Sequence, residues 1–238
     1  MLNEQTVTIM NELKLFGMAR GFADRIGRAD HAELSHADFV GLLVEDEKLH
    51  RENQRLARLL RNAKLNGLAC LEDVDYKHPR GLSKQTILEL IRGDWLEKKL
   101  NILLTGPTGI GKSFLAKALG HQACRAGRTT AYLRFPRLAE NLFVAKADGT
   151  HLKMLSRLAR TQVIILDDFG LSALNDLERK NLLEIVEDRY EIGPLVVASQ
   201  LPIKDWHHIV GDPTLADAIL DRILHRAHKI EMKGKSLR

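Results

Sequence analysis

The sequence has little of what stabilises secreted or membrane proteins. Cys70 and Cys124 are its two cysteines among 238 residues, which is too few for a disulfide framework and favours a reducing compartment. No apolar run approaches the about 18 residues of a membrane-spanning helix. Residues 1–10 lack the basic and apolar stretches of a signal peptide. These absences predict a cytoplasmic protein with no membrane partner.

Aromatic residues are also scarce, at 5% of the chain, which argues against a surface on which unpaired bases stack. Hydrophobic residues at 45% and charged residues at 28% are ordinary for a globular protein and exclude wholesale disorder. Residues 1–100 carry equal numbers of basic and acidic side chains, so the net charge of +5 lies in residues 101–238. This charge permits an acidic partner such as nucleic acid.

The sequence predicts three segments. Residues 1–70 are predicted to be helical, with a short amphipathic segment broken near Gly17 and Gly21, and a longer helix that Ser35 caps. This segment is interpreted as a small domain for contact with DNA, a partner or further copies. Residues 71–100 are predicted to form a linker and a lead-in helix. Residues 101–238 form the main domain.

Short apolar runs alternate with helical patterns in the main domain. Strands are predicted at 101–105, 129–135, 162–167 and 194–199, and helices at 112–126, 137–160 with a break near Gly149, 174–191 and 216–228. This alternation predicts an α/β fold in which helices cover both faces of a parallel sheet.

The first predicted strand leads into the sequence GPTGIGKS, which fits the phosphate-loop pattern G-x-x-x-x-G-K-[ST]. Its glycines allow the backbone amides to surround a phosphate, and the following helix directs its positive end at the same point. Lys112 is predicted to contact the β- and γ-phosphates of ATP, and the Ser113 hydroxyl to bind Mg²⁺. The predicted nucleotide site comprises Gly106, Pro107, Thr108, Gly109, Ile110, Gly111, Lys112 and Ser113.

Two acids end the apolar strand at 162–167. Buried carboxylates are costly without a charged partner, and a metal ion is the partner expected beside a phosphate loop. Asp167 is predicted to hold Mg²⁺ through its water shell, and Asp168 to orient the attacking water. Gln200, after the next strand, is the first candidate for contact with the γ-phosphate or that water, and Ser199 is the second. A plain turn is the alternative there.

Basic residues offer two further hypotheses. Those between 51 and 64 follow a spacing of three and four, which indicates either a solvated helix face or a stripe that contacts a phosphate backbone. Arg222 in the last predicted helix is either an ion-paired surface residue or a donor that stabilises charge during phosphoryl transfer.

Segments along nearly the whole chain resemble the IstB family of ATP-binding proteins, which are encoded by bacterial insertion sequences. The phosphate loop is generic, whereas the element ILDDFG and the tail are more specific. The segments that carry the resemblance are LKLFGMA (13–19), 45–64, 95–104, 106–113, ILDDFG (165–170), ASQLP (198–202) and 213–238.

This resemblance implies an AAA+ ATPase of the initiator and helicase-loader branch, which includes DnaC and DnaA. It implies ATP and Mg²⁺ as cofactors, hydrolysis at interfaces of a homo-oligomer, and assistance to a partner transposase similar to IstA in target-DNA selection. It also implies that Arg222 is an arginine finger acting in trans, and that Arg238 is a second sensor arginine acting in cis.

DNA binding is a further implication of the resemblance, because related initiators carry a DNA-facing helix after the second strand. Contact with the backbone of duplex DNA, dependent on salt, is favoured. The candidate residues are Arg51, Arg55, Arg58, Arg61, Lys64, Arg134, Arg137, Lys146, Lys153 and Arg157.

Two alternatives stay open at this stage. A DnaC-like loader of a replicative helicase would use the same chemistry and differ in its partner. A small-molecule phosphotransferase would need an acceptor pocket and a mobile lid, and the sequence shows no clear lid.

Overall fold

The computed structural model describes residues 2–26, 34–65, 67, 69–75, 80–190, 192–234 and 236. The chain divides into two units, Met1–Arg58 and Leu59–Arg238. The predicted segment limits at residues 70 and 100 rest on composition and stay predictions.

Helices form the described part of the first unit, as expected: α1 (Leu2–Glu12), α2 (Phe16–Arg25) and the first part of α3 (His36–Ala63). The predicted cap of α3 is confirmed, because the backbone N–H of Asp38 donates to the Ser35 hydroxyl at 3.1 Å.

The predicted break occurs just before Gly17, at residues 13–15 between α1 and α2, and none occurs at Gly21. Both glycines lie buried inside α2. A Cβ atom on Gly17 would lie 2.5 Å from the carbonyl oxygen of Asp46. Gly17 therefore allows close packing of α2 against α3. In the sequence alone, the same glycine suggests a helix break.

The second unit contains one sheet of five parallel strands in its described residues, with the order β2-β3-β4-β1-β5. The four predicted strands are confirmed within one or two residues. The strands are β1 (Asn101–Thr105), β2 (Thr130–Arg134), β3 (Val163–Phe169), β4 (Leu195–Ser199) and β5 (Ala227–Glu231). The α-helices are α4 (Lys84–Arg92), α5 (Asp94–Glu97), α6 (Lys112–Arg125), α7 (Phe135–Ala147), α8 (His151–Arg160), α9 (Asp176–Arg189), α10 (Trp206–Val210) and α11 (Pro213–Leu224).

The fifth strand corrects the predicted helix at 216–228. Helix α11 ends at Leu224, and Ala227 already pairs with Asn101 in a parallel ladder with β1. Only Ile230 is buried in β5, so its sequence shows little of the continuous apolar pattern of a central strand. Hydrogen bonding to the free edge of β1 decides its conformation.

The core of this unit lies on both faces of the sheet. Ile164, Leu166 and Val197 are fully buried, as expected for central parallel strands. Below the end of β3, the Phe169 ring meets Phe135 and Trp206 edge to face, with centroids 5.2 and 5.0 Å away. None of the described helices is long and apolar enough to cross a bilayer.

The strand order places the predicted site residues together at the carboxyl ends of the strands. Strands β3, β4 and β1 are neighbours and parallel, so their carboxyl ends lie side by side. The phosphate loop follows β1, the acids end β3, and Gln200 follows β4. Ligands of open α/β sheets bind outside these carboxyl ends.

Candidate nucleotide site

The phosphate loop connects Thr105 at the end of β1 to Lys112 at the start of α6. Gly106, Gly109 and Gly111 have φ angles of 144°, 81° and 101°, which side chains rarely adopt. A Cβ atom on Gly106 would also lie 2.2 Å from the carbonyl oxygen of Met232. The loop conformation therefore depends on the glycines that the motif specifies.

Lys112 lies inside the loop, with 8% of its surface exposed. Its Nζ donates to the carbonyl oxygens of Gly106 and Pro107 at 2.6 and 2.8 Å. Burial lowers the pKa of Lys112, and the charges of Asp167 and Asp168 oppose that shift. A phosphate oxygen is a stronger partner for the ammonium than either neutral carbonyl, so this cradle fits the triphosphate of ATP.

Gln200 reaches the phosphate loop. Its Oε1 accepts a hydrogen bond of 2.7 Å from the Thr108 hydroxyl, so the ends of β4 and β1 are joined at the loop. Ser199, the second candidate, is fully buried, and its hydroxyl donates to the Phe169 carbonyl at 2.7 Å. Between the two, Gln200 is the one whose side chain lies at the loop.

Asp167 is buried at the end of β3, with 3% of its surface exposed. Its Oδ2 accepts from the Tyr132 hydroxyl, and its Oδ1 accepts from the backbone N–H of Asp168 at 3.0 Å. Oxygen atoms, including those of carboxylates and hydroxyls, are the ligands that Mg²⁺ prefers. Asp167 and the exposed Ser113 hydroxyl on α6 therefore provide suitable donors for the predicted metal.

Asp168 adopts a left-handed conformation, with φ of 58°. The pairing of β3 with β4 shifts register between Leu166 and Phe169, so Asp168 lies in an irregular part of the strand. Such irregularities re-aim side chains at sheet edges and cost energy. The Nε of Arg134, at the end of β2, donates to the Asp168 carboxylate at 2.8 Å.

Arg222 is not part of this cluster. Its guanidinium pairs with Glu187 at 2.9 Å and donates to the Ala218 carbonyl at 2.8 Å. Its backbone carbonyl accepts from Asn101, the first residue of β1. Arg222 therefore lies at the amino end of the sheet, whereas the phosphate loop lies at the carboxyl end.

The candidate DNA residues are surface residues of helices, apart from Arg134, which ends β2, and Lys64, which follows α3. Arg51 pairs with Glu47 at 2.7 Å, and Arg134 pairs with Asp168. This exposure is compatible with both the solvated face and the backbone-contacting stripe. The exposed candidates are Arg51, Arg55, Arg58, Arg61, Lys64, Arg134, Arg137, Lys146, Lys153 and Arg157. Arg238 lies outside the described residues.

Two residues at the site were not singled out from sequence. Tyr132 contacts Asp167. Arg80, with 4% of its surface exposed, donates to the carbonyl of Ile110 in the phosphate loop at 3.3 Å. For Tyr132 the sequence offers one signal, a tyrosine within a predicted strand that ends in a basic residue. Arg80 follows a linker pattern, and only the tertiary structure brings it to the loop.

A parallel sheet with a phosphate loop after one central strand and paired acids after another defines a P-loop protein. Residues 8–238 match the family described as IstB-like ATP binding protein. The chain belongs to this family, as its motifs predicted.

Individual comparisons agree with this result. The chain is 47% identical to an insertion sequence ATP-binding protein, y4pL, of Sinorhizobium fredii, over 100% of this chain and 97% of that protein. The crystal structure of DnaI matches with a TM-score of 0.61 at 23% identity, over 73% of this chain and 92% of DnaI. The replication initiator DnaA, bound to AMPPCP and single-stranded DNA, matches with a TM-score of 0.57 at 18% identity, over 71% of this chain and 51% of DnaA. The two structures establish the fold.

Proposed function

We propose that this protein is a DNA-binding ATPase that assembles through its nucleotide sites and assists the transposition of an insertion sequence. The family match over residues 8–238 supports nucleotide binding and the link to insertion sequences. One observation carries the proposal. Lys112, Asp167 and Asp168 lie together at the carboxyl end of the sheet, whereas Arg222 lies at its amino end.

ATP hydrolysis follows from the chemistry of the carboxyl end. The loop amides and Lys112 bind phosphate, and Ser113 and Asp167 would hold Mg²⁺, which would neutralise charge on the phosphate oxygens. Asp168 accepts a proton from the attacking water and orients it, and Gln200 contacts that water or the γ-phosphate.

The position of Arg222 favours a site that two copies share. Asn101 and Thr105 are the ends of a five-residue strand, and about 13 Å separates them at a rise of about 3.3 Å per residue. The Arg222 backbone is bonded to Asn101, so its side chain is too short to reach the loop beyond Thr105 of its own copy. A second copy that supplies Arg222 would complete the site in a head-to-tail, heterologous contact.

DNA is the proposed polymer partner of the assembled protein. Helices α7 and α8 expose Arg137, Lys146, Lys153 and Arg157, and the excess positive charge lies in residues 101–238. These side chains suit the phosphate backbone of a duplex. The partner transposase is proposed from the insertion-sequence association of the relatives.

The test combines light scattering with fluorescence anisotropy of labelled duplex DNA. We expect larger assemblies and DNA binding with a slowly hydrolysed ATP analogue, and much weaker binding with ADP or without nucleotide. DNA affinity is expected to fall steeply as salt rises, because backbone contacts release counterions. A monomer in every nucleotide state, with DNA affinity indifferent to nucleotide, would contradict the proposal. Co-purification with a replicative helicase instead of the transposase would favour the helicase-loader alternative.

Substituting Arg134→Ala is expected to raise ATP turnover in the absence of DNA. Arg134 occupies one oxygen of Asp168 and neutralises its charge, so Asp168 is a poorer acceptor for a water proton while the pair persists. Exposed ion pairs are weak, so the expected rate increase is roughly a few-fold. Phosphate release measured at saturating ATP checks this.

The matched control is Arg128→Ala. Arg128 also forms an ion pair, with Glu97 at 2.6 Å, but it lies before β2 at the opposite end of that strand. Turnover of this variant should equal that of the unmodified protein. Slower turnover in Arg134→Ala would show that Arg134 assists hydrolysis and does not restrain it.

A further inference from the structure

Tyr132 on β2 contacts the metal-binding acid, and the proposed reaction does not use it. Its hydroxyl donates to Oδ2 of Asp167, the acid at the end of the neighbouring strand. Tyr132 pairs with Ile165 in the parallel register, two residues before Asp167. The long phenol side chain spans that offset along the strand.

The proton of this hydrogen bond belongs to Tyr132. The phenol O–H donates and the carboxylate oxygen accepts. The ring also contacts Lys117 on α6, whose Nζ lies 5.1 Å from the ring centroid, within the range of a cation–π contact. The donor is thus fixed by α6 on one side and by Asp167 on the other.

Asp167 is held at both oxygens, by Tyr132 at Oδ2 and by the backbone N–H of Asp168 at Oδ1. A carboxylate has about four lone-pair positions, so two hydrogen bonds orient the group and leave positions for a cation or its water shell. This is how outer hydrogen bonds tune metal ligands in proteins.

We infer that Tyr132 is a positioning residue for the Mg²⁺ carboxylate, and that its hydroxyl holds Asp167 in the orientation that receives the metal of the nucleotide complex. This inference rests on the proposed function. It assigns Tyr132 a role in the metal dependence of nucleotide binding, and none in binding the nucleotide itself.

The experiment measures the affinity of a fluorescent, slowly hydrolysed ATP analogue, first in EDTA and then across a series of Mg²⁺ concentrations. We expect Tyr132→Phe to bind the analogue in EDTA as the unmodified protein does. The Mg²⁺ concentration that gives half of the affinity gain should rise about 10-fold or more, as for other outer-shell partners of metal ligands. The control is Tyr190→Phe, since the Tyr190 side chain is exposed.

A double-mutant cycle with Asp167→Asn separates positioning from general stability. Tyr132→Phe should add no further loss of Mg²⁺ dependence to Asp167→Asn, because both changes act through one carboxylate. An unchanged Mg²⁺ dependence in Tyr132→Phe, or an equal loss in the Asp167→Asn background, would overturn the inference. If neither the unmodified protein nor Tyr132→Phe bound the analogue at any Mg²⁺ concentration, the proposed function would fail as well. If both bound it with the same Mg²⁺ dependence, only the inference about Tyr132 would fail.

Discussion

Substituting Arg222→Ala is expected to lower ATP turnover by about 10³–10⁵-fold, the contribution of an arginine that stabilises charge during phosphoryl transfer. Nucleotide affinity per site should change little, because Arg222 lies at the amino end of the sheet, away from its own phosphate loop. Turnover by phosphate release and affinity by fluorescence anisotropy check the two statements separately. The control is Arg226→Asn, since Arg226 has φ of 60° and asparagine tolerates that conformation.

Mixing two inactive variants decides between a site within one copy and a site shared by two. Arg222→Ala keeps an intact phosphate loop, and Lys112→Ala keeps an intact Arg222. In an equimolar mixture only the Arg222→Ala copies, half of the total, bind nucleotide, and about half of their loops meet an intact Arg222 from a Lys112→Ala copy in a head-to-tail contact. The mixture should therefore recover up to about one quarter of the turnover of the unmodified protein. A mixture as inactive as its components would sink the shared site, and normal turnover of Arg222→Ala alone would remove Arg222 from the mechanism.

The second large effect is expected for Lys112→Ala, as a loss of nucleotide affinity of about 100-fold. Charged hydrogen bonds are worth about 1.5–3 kcal/mol each, and Lys112 already directs its Nζ into the loop. Its removal also takes one positive charge away from the neighbourhood of Asp167 and Asp168, so the site becomes less favourable for the negative phosphates. Nucleotide-dependent assembly and DNA binding should disappear together with the affinity.

Lys84→Ala is the matched control for Lys112→Ala, because Lys84 is exposed at the start of α4. Thermal unfolding of both variants shows whether either change disturbs the fold. Unaltered nucleotide affinity in a folded Lys112→Ala protein would mean that the triphosphate does not lie on this loop.

The chemistry of the site was predictable because its signals are local. The glycines of the loop, Lys112 and Ser113 lie within eight residues, and their spacing has one structural solution between a strand and a helix. The apolar run before Asp167 is also a local signal. A strand that is buried on both faces needs continuous apolar residues, so the run predicts a central strand.

Two local predictions were wrong in part where packing overrode pattern. Gly17 and Gly21 suggest a break, but α2 continues through them because their missing Cβ atoms allow a close approach to α3. The pattern of residues 216–228 suggests one helix, but residues 227–231 pair with the free edge of β1 as β5. Neither neighbour is adjacent in sequence.

The sequence by itself determined the phosphate loop, the strand that carries the two acids and the α/β class, because periodicity and short motifs depend on residues close along the chain. The tertiary structure alone decided that Tyr132 holds Asp167, that Arg134 pairs with Asp168, and that Arg222 lies at the far end of the sheet. Those contacts depend on strand order and register, which join residues up to 121 positions apart, and no local spacing encodes that order.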